Sequence, residues 1–253
     1  MQDYLYKKMY EVETTHWWFQ AKKDIIVQLV KNKIIPQLTK SDKSEITIAD
    51  VGCGVGLLLN SLAEYGQVTG IDYSDQAIEF CRKSFSGELL QKDFGIENSL
   101  EKKYDLVIVS DLIEHIKDDS KAITNIYNML KPGGYAIITV PAFQFLWSQH
   151  DVNNMHFRRY CLDDLKRMIS LVPLKISYIS YYNFFLFHIA VIVRLVKKLF
   201  NLDKTSNLEL TTPPSIINKL LYKTFYSESK YINKGKKFPY GLSLVAVLKA
   251  SGD

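Results

Sequence analysis

The sequence predicts an α/β fold: a parallel sheet with helices on both faces, extended by a helical and loop cap. Three observations carry that prediction. Residues 45–56, EITIADVGCGVG, run from an apolar stretch through Asp50 into Gly52, Gly54 and Gly56, as a buried strand does when it turns sharply toward a helix. Five strand-like segments succeed one another up to residue 142, with helical periodicity after each of four, which argues for parallel pairing through crossovers. A long polar loop, 143–161, leaves the fifth strand, and open α/β sheets bind ligands beyond the ends of their strands.

Composition narrows the function classes. With 253 residues, 47% of them apolar and 23% charged, the chain has the make-up of a soluble globular protein with room for a sizeable core. The net charge of +5 sits on scattered lysines; lacking an arginine-rich block, the chain is expected to have no nucleic-acid partner. Cys53, Cys81 and Cys161 show no metal spacing and fit a reduced, cytoplasmic setting without disulfides. The opening MQDYLYKKMYEVE has no apolar core and does not read as a signal peptide.

Taken in order, residues 4–35 contain HWWFQAKKDIIVQLV, where Ile25, Ile26, Leu29 and Val30 recur at helical spacing. This helix either packs its aromatics on the domain or forms a lid, with His16 and Trp18 closing over a ligand and Lys22 or Lys23 meeting a carboxylate. The glycine turn that follows reads G-x-G-x-G, and Leu57 stands where a dinucleotide fingerprint needs its third glycine. Asp50, two residues before the first glycine, would repel a pyrophosphate and suits a ligand with a positive end, such as S-adenosylmethionine. Here the chain resembles the class I S-adenosylmethionine-dependent methyltransferases, whose first motif has the form acid–x–G–x–G–x–G. The resemblance implies a Rossmann-like, seven-stranded sheet and a cofactor bordered by Asp50, Gly52, Cys53, Gly54 and Gly56.

A helix is expected over 57–66 and a second strand over 67–72, ending in Asp72. That acid lies about twenty residues beyond the turn, the spacing of a carboxylate that receives two ribose hydroxyls; the competing reading is a helix cap, a task Ser74 or Asp75 can perform. Tyr73 would lie against the adenine. The third strand is expected over 87–94, where the resemblance implies that Asp93 accepts from the adenine amino group beside Phe94. The fourth runs through Leu106–Val109 and breaks at Ser110 and Asp111, which in the family lie beneath the methyl group. Asp111 divides between backbone capping and active-site use, and His115 reads as structural. A helix over 118–130 ends at LKPGG, and the fifth strand covers 135–142.

The loop 143–161 gathers His150, Asp151, His156, Arg158, Arg159 and Tyr160. Methyl transfer to an alcohol needs a base titrating near working pH, so His150 or His156 is the expected base, with Asp151 orienting it. Arg158, Arg159 and Tyr160 would hold a phosphate or carboxylate of the acceptor. His150, Asp151 and His156 lack a diagnostic metal spacing, and no metal is expected. The segments HWWFQAK and FLWSQHDVNNMHFRRY resemble a bacterial methyltransferase group associated with surface-polysaccharide genes, though Lys22 replaces that group's arginine.

Beyond the loop, a helix over 162–172 and a strand over 174–183 precede FFLFHIAVIVRLVKKLF, 184–200. That helix is too short to span a bilayer; it covers the core, meets anionic lipid or forms a homodimer face. A connection over 201–214, a helix over 215–234 and a strand over 242–250 complete the chain, the last strand being antiparallel beside the fifth in the family. The expectation is a single domain, 1–253: a lid at about 4–35, a cofactor core at about 45–142 and a substrate cap at about 143–253. It would O-methylate a small polar acceptor, a sugar, nucleotide sugar or phosphoramidate-type capsule precursor. The alternatives are an isoprenoid or other lipid acceptor, or a non-catalytic cofactor-binding partner subunit.

Overall fold

The computed structural model describes residues 3–39, 45–95, 102–200 and 211–252. Its seven strands are β1 (Thr47–Val51), β2 (Gln67–Asp72), β3 (Glu88–Gln91), β4 (Tyr104–Ser110), β5 (Leu130–Pro141), β6 (Leu174–Tyr182) and β7 (Ser243–Ala250). They form one sheet in the order β3-β2-β1-β4-β5-β7-β6. β3 through β5 are parallel, and β7 is antiparallel to both β5 and β6. The order in which strands are added reverses between β1 and β4, so the C-terminal ends of those two parallel strands open a crevice.

Alternation along the strands divides the core in two. Ile48, Leu106, Ile108 and Ile137 face α2 (Trp17–Leu29) and α10 (Ser215–Tyr226), while Ala49, Val107, Val109 and Ile138 face α6 (Asp119–Asn128) and α8 (Leu162–Ile169). Both faces of the parallel strands are therefore apolar, as burial on two sides requires. α2 buries Ala21, Ile25, Ile26 and Leu29, which confirms the packing role expected of its apolar face.

Several boundaries differ from expectation. The first segment splits into α1 (Asp3–Val12) and α2, because His16 caps α2 by accepting the Trp18 N–H at 3.2 Å. Pro36 has no N–H to donate, and the helix passes through a π turn at Val30–Ile34 before α3 (Ile35–Leu38). After the glycines only α4 (Leu59–Leu62) is helical; Gly56 holds φ +98° and three-residue turns tighten the descent. α5 (Asp75–Arg82) begins at a Ser74 cap. The polar loop contains a short helix, α7 (Gln149–Asn153), and the expected 215–234 helix breaks into α10 and α11 (Ser229–Asn233). At that break Glu228 Oε1 accepts the Phe184 and Phe185 N–H groups. α9 (Phe187–Leu199) lies within the expected 184–200 helix, whereas 201–210 of the expected connection fall outside the described residues.

Candidate active site

The glycine turn is built by backbone geometry. Gly52, Gly54 and Gly56 take φ of +72°, +55° and +98°, conformations that a side chain makes costly. The Gly52 and Cys53 N–H groups both donate to Ile71 O, which ties the turn to the end of β2. There Asp72, almost fully buried, accepts the Gly54 N–H at 3.0 Å on Oδ2 and the Ser74 N–H at 3.0 Å on Oδ1. Ser74 Oγ itself caps α5, so Asp72 is not spent on that task. Tyr73 stands half exposed beside it.

Asp50, at the end of β1, is buried against this turn, and burial together with Asp72 lifts its pKa to about 7 despite the opposing charge of Lys22. Burial likewise raises Asp72, against its hydrogen bonds. Cys53 is held as a thiol by Cys81, 3.9 Å away, and by burial. Asp93 is exposed and accepts the N–H of its neighbour Gly95 at 2.8 Å, while Phe94 is buried in the core.

At the end of β4, Asp111 takes φ +52° and its N–H donates to Thr139 O at 3.0 Å. Lys22 Nζ donates to Asp111 Oδ2 at 2.9 Å and lies 4.4 Å from the Trp18 ring centroid. Ser110 Oγ pairs with Thr139 Oγ1 at 3.1 Å, and Thr139 Oγ1 donates to Asp111 Oδ1 at 2.8 Å. Burial would raise Asp111, but Lys22 and Thr139 outweigh it and hold the acid below its ordinary value. The carboxylate that Lys22 meets is thus one of the protein's own.

The polar loop gives its two histidines different surroundings. His156 Nδ1 lies 2.9 Å from Asp151 Oδ1, and Arg159 clamps the same carboxylate through Nε at 2.7 Å and Nη2 at 2.9 Å. Ser148 N–H adds a further bond at 2.8 Å. Burial opposes ionisation of Asp151, yet the His156 and Arg159 bonds keep it well below the usual carboxylate range. An ionised Asp151 only accepts, so His156 donates from Nδ1, which in the neutral ring leaves Nε2 as the acceptor nitrogen. His150 keeps to its own turn with Asn154, its ring centroid 6.0 Å from that of His156.

Two residues beside this dyad carry signals of their own. Glu114 is fully buried and neither carboxyl oxygen has a hydrogen-bond partner; burial and the Asp111 charge raise its pKa well above normal. The His115 ring lies edge-on to His156 at 4.6 Å, and burial followed by the His156 charge lowers its pKa to about 4. Ligand-type atoms of Glu114, His115 and His156 lie within 4.8 Å of one another, the one grouping among the described residues that could hold a metal. It is not the His150, Asp151, His156 set considered from sequence.

Arg158 and Arg159 do not present free charge to a substrate. Arg159 is committed to Asp151, and Arg158 pairs with Asp119 Oδ2 at 2.8 Å and also donates to Lys117 O. Tyr160 is buried and donates to Asp119 Oδ2 at 3.1 Å. The three residues line, with Asp119 and Arg167, a cavity of about 310 Å³. Sequence reasoning missed Glu13, Thr139 and Tyr182. Glu13 is buried next to the turn, and the Tyr182 hydroxyl is buried beside Thr139 and Ser243, where it feels the charges of Asp111 and Glu114. Only the residue type signalled Glu13, a lone acid between α1 and α2.

Residues 49–138 match the family model described as a methyltransferase domain. The ubiquinone biosynthesis O-methyltransferase of Coxiella burnetii is 31% identical over 129 residues, 47% of this chain and 53% of that protein. The protein of the same name from Rickettsia felis is 32% identical over 142 residues, 51% and 58% of the two chains. The chain thus spans about half the length of the curated relatives it matches. Among solved structures, an S-adenosylmethionine-dependent methyltransferase from Clostridium acetobutylicum superposes with a TM-score of 0.54 at 14% identity, covering 91% of this chain and 92% of that one. A putative methyltransferase from Bacillus halodurans gives 0.53 at 13% identity, covering 87% and 99%. The [4+2]-cyclase SpnF gives 0.55 at 15% identity, covering 91% and 81%. The chain has the seven-stranded, Rossmann-like fold of these methyltransferase structures, and residues 49–138 match a methyltransferase-domain model.

Proposed function

We propose that the chain is an S-adenosylmethionine-dependent O-methyltransferase whose acceptor hydroxyl is deprotonated by His156. The observation that carries this reading is the buried Arg159–Asp151–His156 relay beside the end of β4. The residues around the glycine turn fit the cofactor: Asp50 and Asp72 are buried carboxylates suited to a cationic end and a ribose diol. S-adenosylmethionine supplies, when bound, a methyl carbon activated by the adjacent sulfonium. The protein's part is alignment and proton removal. His156 Nε2 takes the acceptor proton, and Asp151, kept anionic by Arg159, stabilises the resulting imidazolium.

For the acceptor, the lipid alternative gains and the phosphorylated sugar loses. The two arginines that argued for a phosphate or carboxylate are engaged with Asp119 and Asp151. Phe143, beyond β5, stacks on Tyr181 at 5.0 Å and meets Phe187 edge-on at 5.9 Å, an aromatic wall that leads into α9. On α9, Ile189, Ile192, Leu195 and Leu199 are 60–76% exposed, an apolar outer face; the helix sequence adds Arg194, Lys197 and Lys198. Such a helix suits the surface of an anionic bilayer, and relatives named for ubiquinone biosynthesis agree with an isoprenoid-type acceptor. No described helix is long and apolar enough to cross a membrane.

Transfer from methyl-labelled S-adenosylmethionine to a prenylated phenol in anionic vesicles, and to nucleotide sugars, separates the readings. Methylation of the phenol is expected, with kcat falling about 10²–10⁴-fold in His156→Ala while S-adenosylhomocysteine binding persists. Transfer to the sugars alone overturns the lipid acceptor. Full activity of His156→Ala overturns the base.

A further inference from the structure

α1 lies over the glycine turn with one face. Tyr6 donates to the Asp72 carboxylate at 3.5 Å, and Met9 Cε comes within 3.6 Å of where a side chain on Gly54 would begin. Tyr10 stacks on Phe80 of α5 at 4.7 Å and fixes the helix there. Residues 6, 9 and 13 share one helical face, and the Glu13 N–H still bonds to Met9 O. The chain thus carries Glu13 past the ribose acid and the glycines toward β1, where it is buried and feels Lys22 and Asp50.

The charge balance there is uneven. Lys22 acts on Glu13, Asp50, Asp111 and Glu114 alike, yet its ammonium group is placed on Asp111. Among the described residues neither Glu13 nor Asp50 forms an ion pair. Two buried carboxyls, the second felt by the first and neither with its own cation, are a poor arrangement for the empty protein. They make a good one for a ligand that brings positive charge.

We propose that Glu13 is a cofactor-recognising residue: with Asp50 it binds a cationic centre of S-adenosylmethionine, and α1 is the lid that delivers it. The inference rests on the cofactor reading above. Three ligands separate the charges, since S-adenosylmethionine carries a sulfonium and an ammonium, S-adenosylhomocysteine only the ammonium, and methylthioadenosine neither. Titration calorimetry on Glu13→Gln is expected to show affinity for S-adenosylmethionine weakened on the order of tenfold or more, with methylthioadenosine binding as it does to the parent protein.

Loss for S-adenosylhomocysteine as well assigns Glu13 to the ammonium, and loss confined to S-adenosylmethionine assigns it to the sulfonium. Unaltered binding of all three, or equal weakening of all three, overturns the proposal, the second outcome marking Glu13 as a structural residue. A parent protein that binds none of them overturns the cofactor reading, and the proposal falls with it.

Discussion

At the residue scale, the proposed role of His156 as base rests on the neighbouring carboxylate of Asp151. Asp151 is buried, and its ionisation depends on the guanidinium fork of Arg159. Lysine keeps the charge but cannot supply two parallel donors. Arg159→Lys should therefore lower kcat by about 10–100-fold with cofactor affinity unchanged, whereas Arg158→Ala, whose partner is the surface acid Asp119, should keep near-parental turnover; steady-state kinetics on both variants checks this. The sequence revealed which residues cluster here, since His150, Asp151, His156 and Arg159 lie within ten positions. It did not reveal which histidine Asp151 would choose, because a short helix decides that by turning His150 back on Asn154. Glu13, Thr139 and Tyr182 were illegible for another reason: each comes from an element far from the motif, and only the packed sheet brings it in.

At the scale of elements, α9 departs from an ordinary surface helix by being apolar on its outer side as well as its inner one. Leu186 is buried and Phe187, Ala190, Val191 and Arg194 are half-buried, while the large aliphatics point outward. Arg194 Nη1 donates to Leu146 O at 2.7 Å, anchoring the helix to the start of the loop that holds Asp151 and His156. Replacing Ile192 and Leu195 with Asp should abolish flotation with anionic vesicles and leave the melting temperature within about 2 °C, since exposed positions contribute little to the fold. Equal flotation of parent and variant would assign α9 another task. The helix itself was legible from its apolar run, but its orientation was not, because a run that is apolar on every side gives periodicity nothing to resolve. The strand ends were read more closely: 67–72 matched β2, and the fifth strand's KPGG entry was read as a stop although Leu130 already pairs with Tyr104.

For the molecule as a whole, the buried acids couple stability to pH. Burial lifts Glu13 from 4.5 to about 8 and Asp50 from 3.8 to about 7. A carboxyl whose folded pKa lies above its unfolded value stabilises the fold fully below the unfolded value, and that contribution is lost as pH rises through the folded one. The ligand-free protein should thus lose thermal stability between about pH 5 and pH 8. Glu13→Gln should flatten the upper part of that decline, and S-adenosylmethionine should counter it by supplying the missing charge; melting curves at several pH values with and without the cofactor measure both effects. The overall topology was readable because each βα unit announces itself locally. A lid over 4–35 was among the expectations from sequence, but Glu13 was not, because that acid gains meaning only with Asp50, 37 positions further along the sequence.

The placement of β7 between β5 and β6 governs the order in which a growing polypeptide can finish. While residues 243–250 are still unmade, β5 keeps an open edge and β6 has nothing to dock against, a vulnerable interval for edge-to-edge association. The donor half, complete by residue 141, can form around its glycines during that interval. Tyr182 pairs with Ser243, and Asn183 O accepts the Leu242 N–H, so this corner of the sheet takes its register last, after the strands around the glycine turn.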